Sequence, residues 1–174
     1  MSESSSINIL NPTKDVHKAL GEMVVQFQEV ENALKWLGCA LLNSSESKPD
    51  MIVLSLLSFR DLVNVIEALA AYRFRDGASL LDTHAAVIKR CRCANDRRNQ
   101  LIHSNWSRAI DGVGARRRKQ GLKNGILTTS EEILSIYSLR DFNELLEVLF
   151  TEVVALMEDA GLVPVLAEAE KGLE

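Results

Sequence analysis

The chain has 174 residues, a formal net charge of −4 and a mean hydropathy near zero, with 47% hydrophobic and 25% charged residues. This length fits one ordinary domain with a sizeable core, and the composition is that of a globular protein. No apolar run approaches the length of a membrane-spanning helix, and no basic segment precedes an apolar core at the N-terminus, so we expect neither a membrane protein nor a secretory signal.

The first predicted element is a long helix that follows a loosely attached tail over residues 1–10. Asn11 and Pro12 have the residue types of an N-cap and a first helical position. Apolar residues then recur at alternating spacings of four and three, a heptad-like stripe that predicts a helix to about Leu42. The stripe consists of Val16, Leu20, Met23, Phe27, Val30, Leu34, Leu37 and Leu41.

Two further principal helices are predicted after the polar stretch NSSESKPD and a short apolar run. The Ser58–Asp61 segment is a capping box with Asp in place of Glu, which predicts a helix over 59–74. The turn-forming sequence DGAS then precedes a third principal helix, which we expect to start at Ser79 or Leu80 and to end near Ile102.

The following segment, residues 104–132, loses helical periodicity and contains four glycines and short alternating stretches. It is predicted to be an elaborate loop, with or without a small β-hairpin. Ser138–Asp141 repeats the capping-box pattern and predicts a last long helix that ends near Gly161. The final residues, 163–174, are interpreted as a tail or a short helix.

Taken together, these elements predict an all-α fold. We expect four principal antiparallel helices in an up-down bundle, forming one domain over residues 11–162, with the elaborate loop between the third and fourth helices. The heptad-like stripes leave room for a homodimer that packs through bundle faces.

A local excess of cations is hidden in the net charge. Residues 89–123 contain eleven Lys and Arg but only two Asp, a formal charge of +9, so the rest of the chain carries −13. A basic segment on an acidic body favours one surface that faces an anionic partner. The alternative is a solvated, solubilising loop beside an acidic bundle.

The cysteine content points to a reducing compartment. Cys39, Cys91 and Cys93 are odd in number and two of them lie one residue apart, which is a poor disulfide framework. The Cys-x-Cys spacing is not that of a zinc site, and no second pair of Cys or His lies at ligand spacing. We therefore expect a cytoplasmic protein with no metal site and no cofactor.

The segment RRNQLIHSNW, residues 97–106, places two arginines, an amide, a histidine and a tryptophan where the third principal helix should end. Arg98 and His103 are five positions apart, which is about 140° around a helix axis. They would not share one face of a continuous helix. Either the helix bends or ends near Ile102, or the two side chains meet partners from elsewhere, including a second subunit.

This segment resembles the R-x4–6-H motif of the HEPN superfamily, whose members share a four-helix domain. Arg98 and His103 match the motif, Asn99 directly after the arginine is a common feature, and Trp106 is similar to versions with a tryptophan shortly after the histidine. Glu31 resembles an acidic position often seen in the first helix. The motif also lies near the end of the third principal helix, as the resemblance requires.

The resemblance implies a homodimer whose two motifs face each other across a cleft, and it implies metal-independent cleavage of RNA in the active members. Arg98 would then stabilise the phosphate, and His103 would transfer a proton at the ribose 2′-OH or at the leaving 5′-oxygen. Asn99 would orient one of these two groups. Glu31, or Asp96 as second choice, would support the site.

The basic segment would hold the RNA backbone, and an aromatic side chain would stack on a splayed base. The residues expected to bind RNA are Arg97, Trp106, Arg116, Arg117, Arg118 and Lys119. Structural roles compete with these assignments, because Trp106 has the residue type to anchor the loop and Arg98 the type to cap the helix or pair with Glu31.

Two functions follow as alternatives. The first is an endoribonuclease, of the kind found in toxin–antitoxin or anti-phage systems, which requires an exposed Arg98/His103 pair. The second is a non-catalytic dimeric module that binds a nucleotide, a nucleic acid or a partner protein such as an antitoxin. The second function predicts that His103 is buried or hydrogen-bonded within its own chain.

Overall fold

The computed structural model describes residues 14–42, 47–75, 77–108, 114–123 and 126–159. The predicted tails and the proposed cap at Asn11 lie outside these residues. The described residues form five helices and a three-stranded sheet: α1 (Lys14–Leu42), α2 (Ser47–Ser55), α3 (Phe59–Arg73), α4 (Ala78–Ile102), β1 (Asn105–Arg108), β2 (Gly114–Lys123), β3 (Ile126–Ser135) and α5 (Ile136–Asp159). The fold is therefore mostly helical, but the all-α prediction is wrong for the segment between α4 and α5.

The chain divides into two compact units. The helical unit comprises residues 25–96 and 145–174, and the sheet unit comprises residues 1–24 and 97–144. Each unit is described on its own below. Among the described residues, no helix combines the length and the apolarity that crossing a membrane would require.

The core of the helical unit confirms the apolar stripe predicted along α1. Phe27, Val30, Leu34 and Leu37 are each at most 3% exposed. Further buried apolar side chains come from the other helices: Leu54, Leu62, Ile66, Val87, Ile88, Leu149 and Val153. The spacing of four and three places one continuous face of α1 toward this core, and burial of that face stabilises the helix more than its intrinsic propensity does.

The direction of α3 relative to α1 differs from the prediction. Within the helical unit, Phe27 packs against Phe59 with ring centroids 4.8 Å apart, and a Cβ atom added to Gly38 would lie 3.7 Å from a side-chain carbon of Ile66. Since both numbers rise together, these two helices advance in the same direction. The chain reverses between them through α2, the short apolar run that was not counted as a principal helix.

Antiparallel packing holds for the next pair, α3 and α4. Phe74, after the end of α3, packs against His84 near the start of α4 with centroids 5.0 Å apart. Glu67 in the middle of α3 accepts a hydrogen bond of 2.7 Å from Arg92, two turns further along α4. The up-down prediction is therefore confirmed for this pair and wrong for α1 and α3.

Of the two predicted capping boxes, one is confirmed. The Ser58 hydroxyl accepts a hydrogen bond of 3.2 Å from the Asp61 amide, and α3 begins at Phe59 as expected. At the start of α5 the capping oxygen belongs to Ser135, which accepts from the Ser138 amide at 3.0 Å. The helix begins three residues earlier than the predicted capping box because β3 leads directly into it.

The two glycines of α1 provide a test of this packing. A Cβ atom added to Gly38 would lie 2.8 Å from a methyl group of the buried Leu54, whereas one added to Gly21 would meet nothing within 4 Å. Gly21→Ala should raise the free energy of unfolding by about 0.5–1 kcal/mol through helix propensity. Gly38→Ala should lower it by about 1 kcal/mol, because overpacking outweighs the same gain. Urea denaturation of both variants measures the difference, and equal effects would contradict the close packing.

The sheet has the strand order β1-β2-β3, with both pairs antiparallel. β2 and β3 pair along their full ten residues, from Gly114 opposite Ser135 to Lys123 opposite Ile126. Among the side chains described for these two strands, the buried ones lie toward the end near α5, where Ala115 and Leu134 are opposite each other and Arg117 follows. The rest of the described ribbon is largely exposed and polar.

Candidate active site at the end of α4

The helix α4 ends at Ile102, as the sequence predicted, and the motif straddles this end. Arg98 lies directly before the last turn of α4, and His103 lies in the turn that leads to β1. The backbone amide of His103 donates to the Asn99 carbonyl at 3.1 Å, so the helical hydrogen bonding extends one residue beyond the helix. The Ser104 hydroxyl donates to the carbonyl of Gln100.

Side chains of the sheet cap the last carbonyls of α4. The Trp106 indole N–H donates to the Leu101 carbonyl at 2.9 Å, and the Arg117 guanidinium donates to the Gln100 carbonyl at 3.1 Å. Helix C-terminal carbonyls lack intrahelical partners, so these contacts satisfy groups that would otherwise need water. They also hold the turn that carries His103 against the strands.

A carboxylate on β3 adds to these contacts, and together they form a clamp on the end of α4. Glu132 binds Arg97 through both carboxylate oxygens, at 3.2 and 3.3 Å, and binds Arg117 at 3.0 Å. Arg117 is only 8% exposed. Two guanidinium groups on one carboxylate leave a local excess of one positive charge, while each retains a charge-assisted hydrogen bond.

His103 is the member of the motif that faces solvent. Its side chain is exposed, and it forms no hydrogen bond or ion pair with the residues that the structure describes. Arg98 is half-buried, and its Nη1 donates to the Asn99 side-chain oxygen at 3.0 Å. The end of α4 therefore presents the exposed imidazole of His103 on a turn that the strands hold in place. The nearby Arg98 guanidinium is oriented by its hydrogen bond to Asn99.

The residues predicted to bind RNA fall into two groups. Trp106, Arg97 and Arg117 are engaged in the clamp, and Arg118 pairs with Glu131 across the strands at 2.5 Å. Arg116 is half-buried and Lys119 is exposed, and neither pairs with a carboxylate among the described residues. Residues 97–135 contain eight Lys and Arg against three Asp and Glu, so the sheet unit keeps a formal charge of +5 in this region.

The two residues predicted to support the site belong to the helical unit. Glu31 pairs with Lys35 of its own helix at 2.9 Å, and Lys35 is largely buried. Asp96 is exposed and lines a cleft between α3 and α4. Neither placement assigns the residue to the Arg98/His103 site.

Two of the three cysteine thiols lie in surroundings that disfavour the thiolate. Cys39 and Cys91 are buried and Cys93 is exposed. Burial raises the pKa of Cys91 to about 12 and, with help from Asp50, raises that of Cys39 as well. Metals bind the thiolate, which these two environments disfavour. Within the described ranges, no group of three or more His, Cys, Asp or Glu side chains is placed to hold a metal ion.

The clamp residues Gln100, Ser104 and Glu132 were missed at the level of sequence. The signal that would have found Glu132 is the dipeptide Asn124-Gly125, which is typical of two-residue hairpin turns. Centring a hairpin on this dipeptide places the two carboxylates of TTSEE opposite the arginines of RRRK. Gln100 and Ser104 act through a backbone carbonyl and a hydroxyl, for which no comparable pattern exists.

Comparison of the chain with protein-family models, with curated proteins and with solved structures found no match. The resemblance to the HEPN superfamily therefore rests on the motif and on its position at a helix end. The function is argued below from the geometry of these residues.

Proposed function

We propose that this chain is a metal-independent endoribonuclease of the HEPN type, with His103 and Arg98 as its main catalytic residues. The observation that supports this proposal is the imidazole of His103, which is exposed, has no partner among the described residues and lies on a turn that Trp106 and Arg117 hold in place. A histidine kept for packing is expected to be buried, as His84 is against Phe74.

The chemistry needs only the groups that this site offers. A neutral imidazole takes the proton from the ribose 2′-OH, the 2′-oxygen attacks phosphorus, and the bond from phosphorus to the 5′-oxygen breaks. The leaving 5′-oxygen takes up a proton, which gives a 2′,3′-cyclic phosphate and a 5′-hydroxyl end. The Arg98 guanidinium donates to the non-bridging oxygens as their charge grows.

One imidazole per chain can perform one of the two proton transfers at a time. We therefore propose that a homodimer forms the complete site, so that a second copy of His103 and Arg98 serves the other transfer. The hydrogen bond from Arg98 to Asn99 gives the amide an orienting role. Arg116 and Lys119 are the cations that remain to bind the RNA backbone.

A nuclease of this kind acts where RNA is present and thiols are reduced, so we place it in the cytoplasm. The absence of disulfides among Cys39, Cys91 and Cys93 supports that compartment. An unregulated endoribonuclease is harmful to its own cell. The activity therefore fits a toxin that an antitoxin protein holds inactive, or a response to phage infection.

The test is incubation of total RNA with the purified chain in EDTA. Cleavage is expected to persist in the chelator and to leave 2′,3′-cyclic phosphate ends. It should also weaken as the salt concentration rises, because salt screens the cations of β2 from the RNA backbone. Cleavage that the chelator abolishes, or no cleavage at any protein concentration, would reject the proposed mechanism.

A further inference from the structure

The helical unit contains a second feature that RNA cleavage by His103 does not use. A cleft of about 360 Å³ lies between the N-terminal half of α3 and the C-terminal half of α4. The residues of α3 that line it are Phe59, Arg60, Val63 and Asn64, and those of α4 are Arg92, Asn95 and Asp96. Pockets for small organic ligands in proteins start at roughly this volume.

One wall of the cleft is fixed by a charge-assisted network. Arg92 donates to both carboxylate oxygens of Glu67, at 3.2 and 2.7 Å, and to the side-chain oxygen of Asn64 at 3.0 Å. Its hydrogen bonds lower the pKa of Glu67, so this pair stays ionised. Because the Asn64 oxygen already accepts from Arg92, this amide presents its N–H donors to a ligand.

Two charged side chains of the cleft have no partner among the described residues. Arg60 and Asp96 are both exposed, and neither forms a hydrogen bond or an ion pair with the part of the chain that the structure describes. Phe59 is half-buried, because it contacts Phe27 within the core. The cleft therefore combines amide side chains, a carboxylate acceptor, a cation that has no partner among the described residues, and a partly exposed aromatic ring.

This combination matches one nucleobase better than the others. The Watson–Crick edge of guanine carries the O6 acceptor beside two donors, N1–H and the N2 amino group. A carboxylate accepts from both donors at once, and an adjacent amide N–H donates to O6. The Watson–Crick edge of adenine offers one amino donor beside N1, which is an acceptor. A carboxylate bound to that amino group would place an oxygen against the N1 lone pair, which is unfavourable.

We propose that the cleft between α3 and α4 binds a guanine nucleotide. Asp96 accepts from N1–H and the N2 amino group, Asn64 donates to O6, Phe59 packs against the base, and Arg60 binds the phosphate. The same chemistry recognises a free guanine mononucleotide and a guanosine within an RNA strand. The inference does not depend on cleavage by His103.

Isothermal titration of the full chain with GMP, IMP and AMP tests this proposal. Affinity should fall in that order, because IMP lacks the N2 amino group and AMP lacks both matched donors. Asp96→Asn should weaken GMP binding at least about tenfold, the scale of one lost bidentate contact to a base edge. Asp82→Asn, which removes an exposed carboxylate elsewhere on α4, should leave binding unchanged.

The phosphate contact is tested separately. Arg60→Gln should weaken the binding of GMP but not that of guanosine, and Arg73→Gln on the same helix is the matched control. Equal binding of GMP and AMP, unchanged binding by Asp96→Asn, or no saturation with GMP up to about 5 mM would each overturn the proposal.

The two sources of the nucleotide are separated in the His103→Ala background, in which the nuclease proposal predicts that RNA stays intact. Competition for bound GMP by UUGUU but not by UUAUU identifies a guanosine in RNA as the ligand. Saturable GMP binding that neither oligonucleotide displaces identifies the free nucleotide. Retention of GMP binding by His103→Ala separates this proposal from RNA cleavage, and its loss would overturn the assignment to the α3–α4 cleft.

Discussion

The His103→Ala variant should lose RNA cleavage by about 10²–10⁴-fold, the usual contribution of a positioned acid or base. Its stability should stay within about 0.5 kcal/mol of wild type, because the imidazole is exposed and has no partner among the described residues. Initial cleavage rates and thermal melting of the same preparation measure both effects. His17→Ala, which removes an exposed histidine from α1, is the matched control and should change neither.

Chemical rescue makes this test sharper. Free imidazole in the buffer should restore part of the cleavage by His103→Ala, because a diffusing base can replace the missing one, but it should not rescue Arg98→Ala. Arg98→Lys keeps the charge and loses the forked donor geometry, so it should lie between wild type and Arg98→Ala. A His103→Ala variant that cleaves normally, or that melts several degrees lower, would assign His103 a structural role instead.

The helical elements could be predicted because their signals are local and repeated. The stripe along α1 and the cap at Ser58 each depend on residues within a few positions of one another. Burial confirms the stripe, and the hydrogen bond from the Asp61 amide to Ser58 confirms the cap. The direction of α3 could not be predicted in this way. It depends on whether the nine-residue segment SKPDMIVLS forms an additional helix, which for so short a segment depends on tertiary packing such as the burial of Leu54.

The sequence left a small β-hairpin open for this segment but did not predict a three-stranded sheet, because its strands lack the usual alternation of apolar and polar residues. β2 reads GARRRKQGLK, and only Ala115 and Arg117 are buried among its described side chains. Cross-strand ion pairs compensate, since Arg117 and Arg118 lie opposite Glu132 and Glu131 in the register. Opposite charges placed directly across a strand pair stabilise it, but a run of arginines on its own is typical of a solvated loop.

The sequence proposed a candidate site but could not divide its residues into those that would contact RNA and those that hold the helix end in place. All of Arg97, Arg98, His103, Trp106 and Arg117 have side chains suited to RNA. Only their contacts distinguish them, because the carbonyls and the carboxylate that engage Arg97, Trp106 and Arg117 come from other elements. The proposed site is therefore smaller than the set of residues predicted from the motif, and the exposed imidazole of His103 is the group on which it depends.

The Arg117→Ala variant should lower the free energy of unfolding by about 2–3 kcal/mol, an expectation for loss of buried, charge-assisted hydrogen bonds. The guanidinium is 8% exposed and bonds both Glu132 and the last turn of α4. This loss of stability is smaller than that expected for a buried charge left without any partner, because Glu132 still pairs with Arg97. For a chain of this length, the melting temperature should fall by about 4–12 °C.

Arg118→Ala is the matched control, since it removes the same side chain from the next position of the same strand. Its pair with Glu131 is exposed, so its effect should stay within about 1 kcal/mol. Both variants lose one positive charge, so a purely electrostatic role in RNA binding predicts similar losses of affinity for the two. Urea denaturation separates the roles. If Arg117→Ala is as stable as wild type and binds RNA as poorly as Arg118→Ala, Arg117 contacts RNA as the sequence predicted. If only Arg117→Ala loses stability, the role of Arg117 is to hold in place the turn that carries His103.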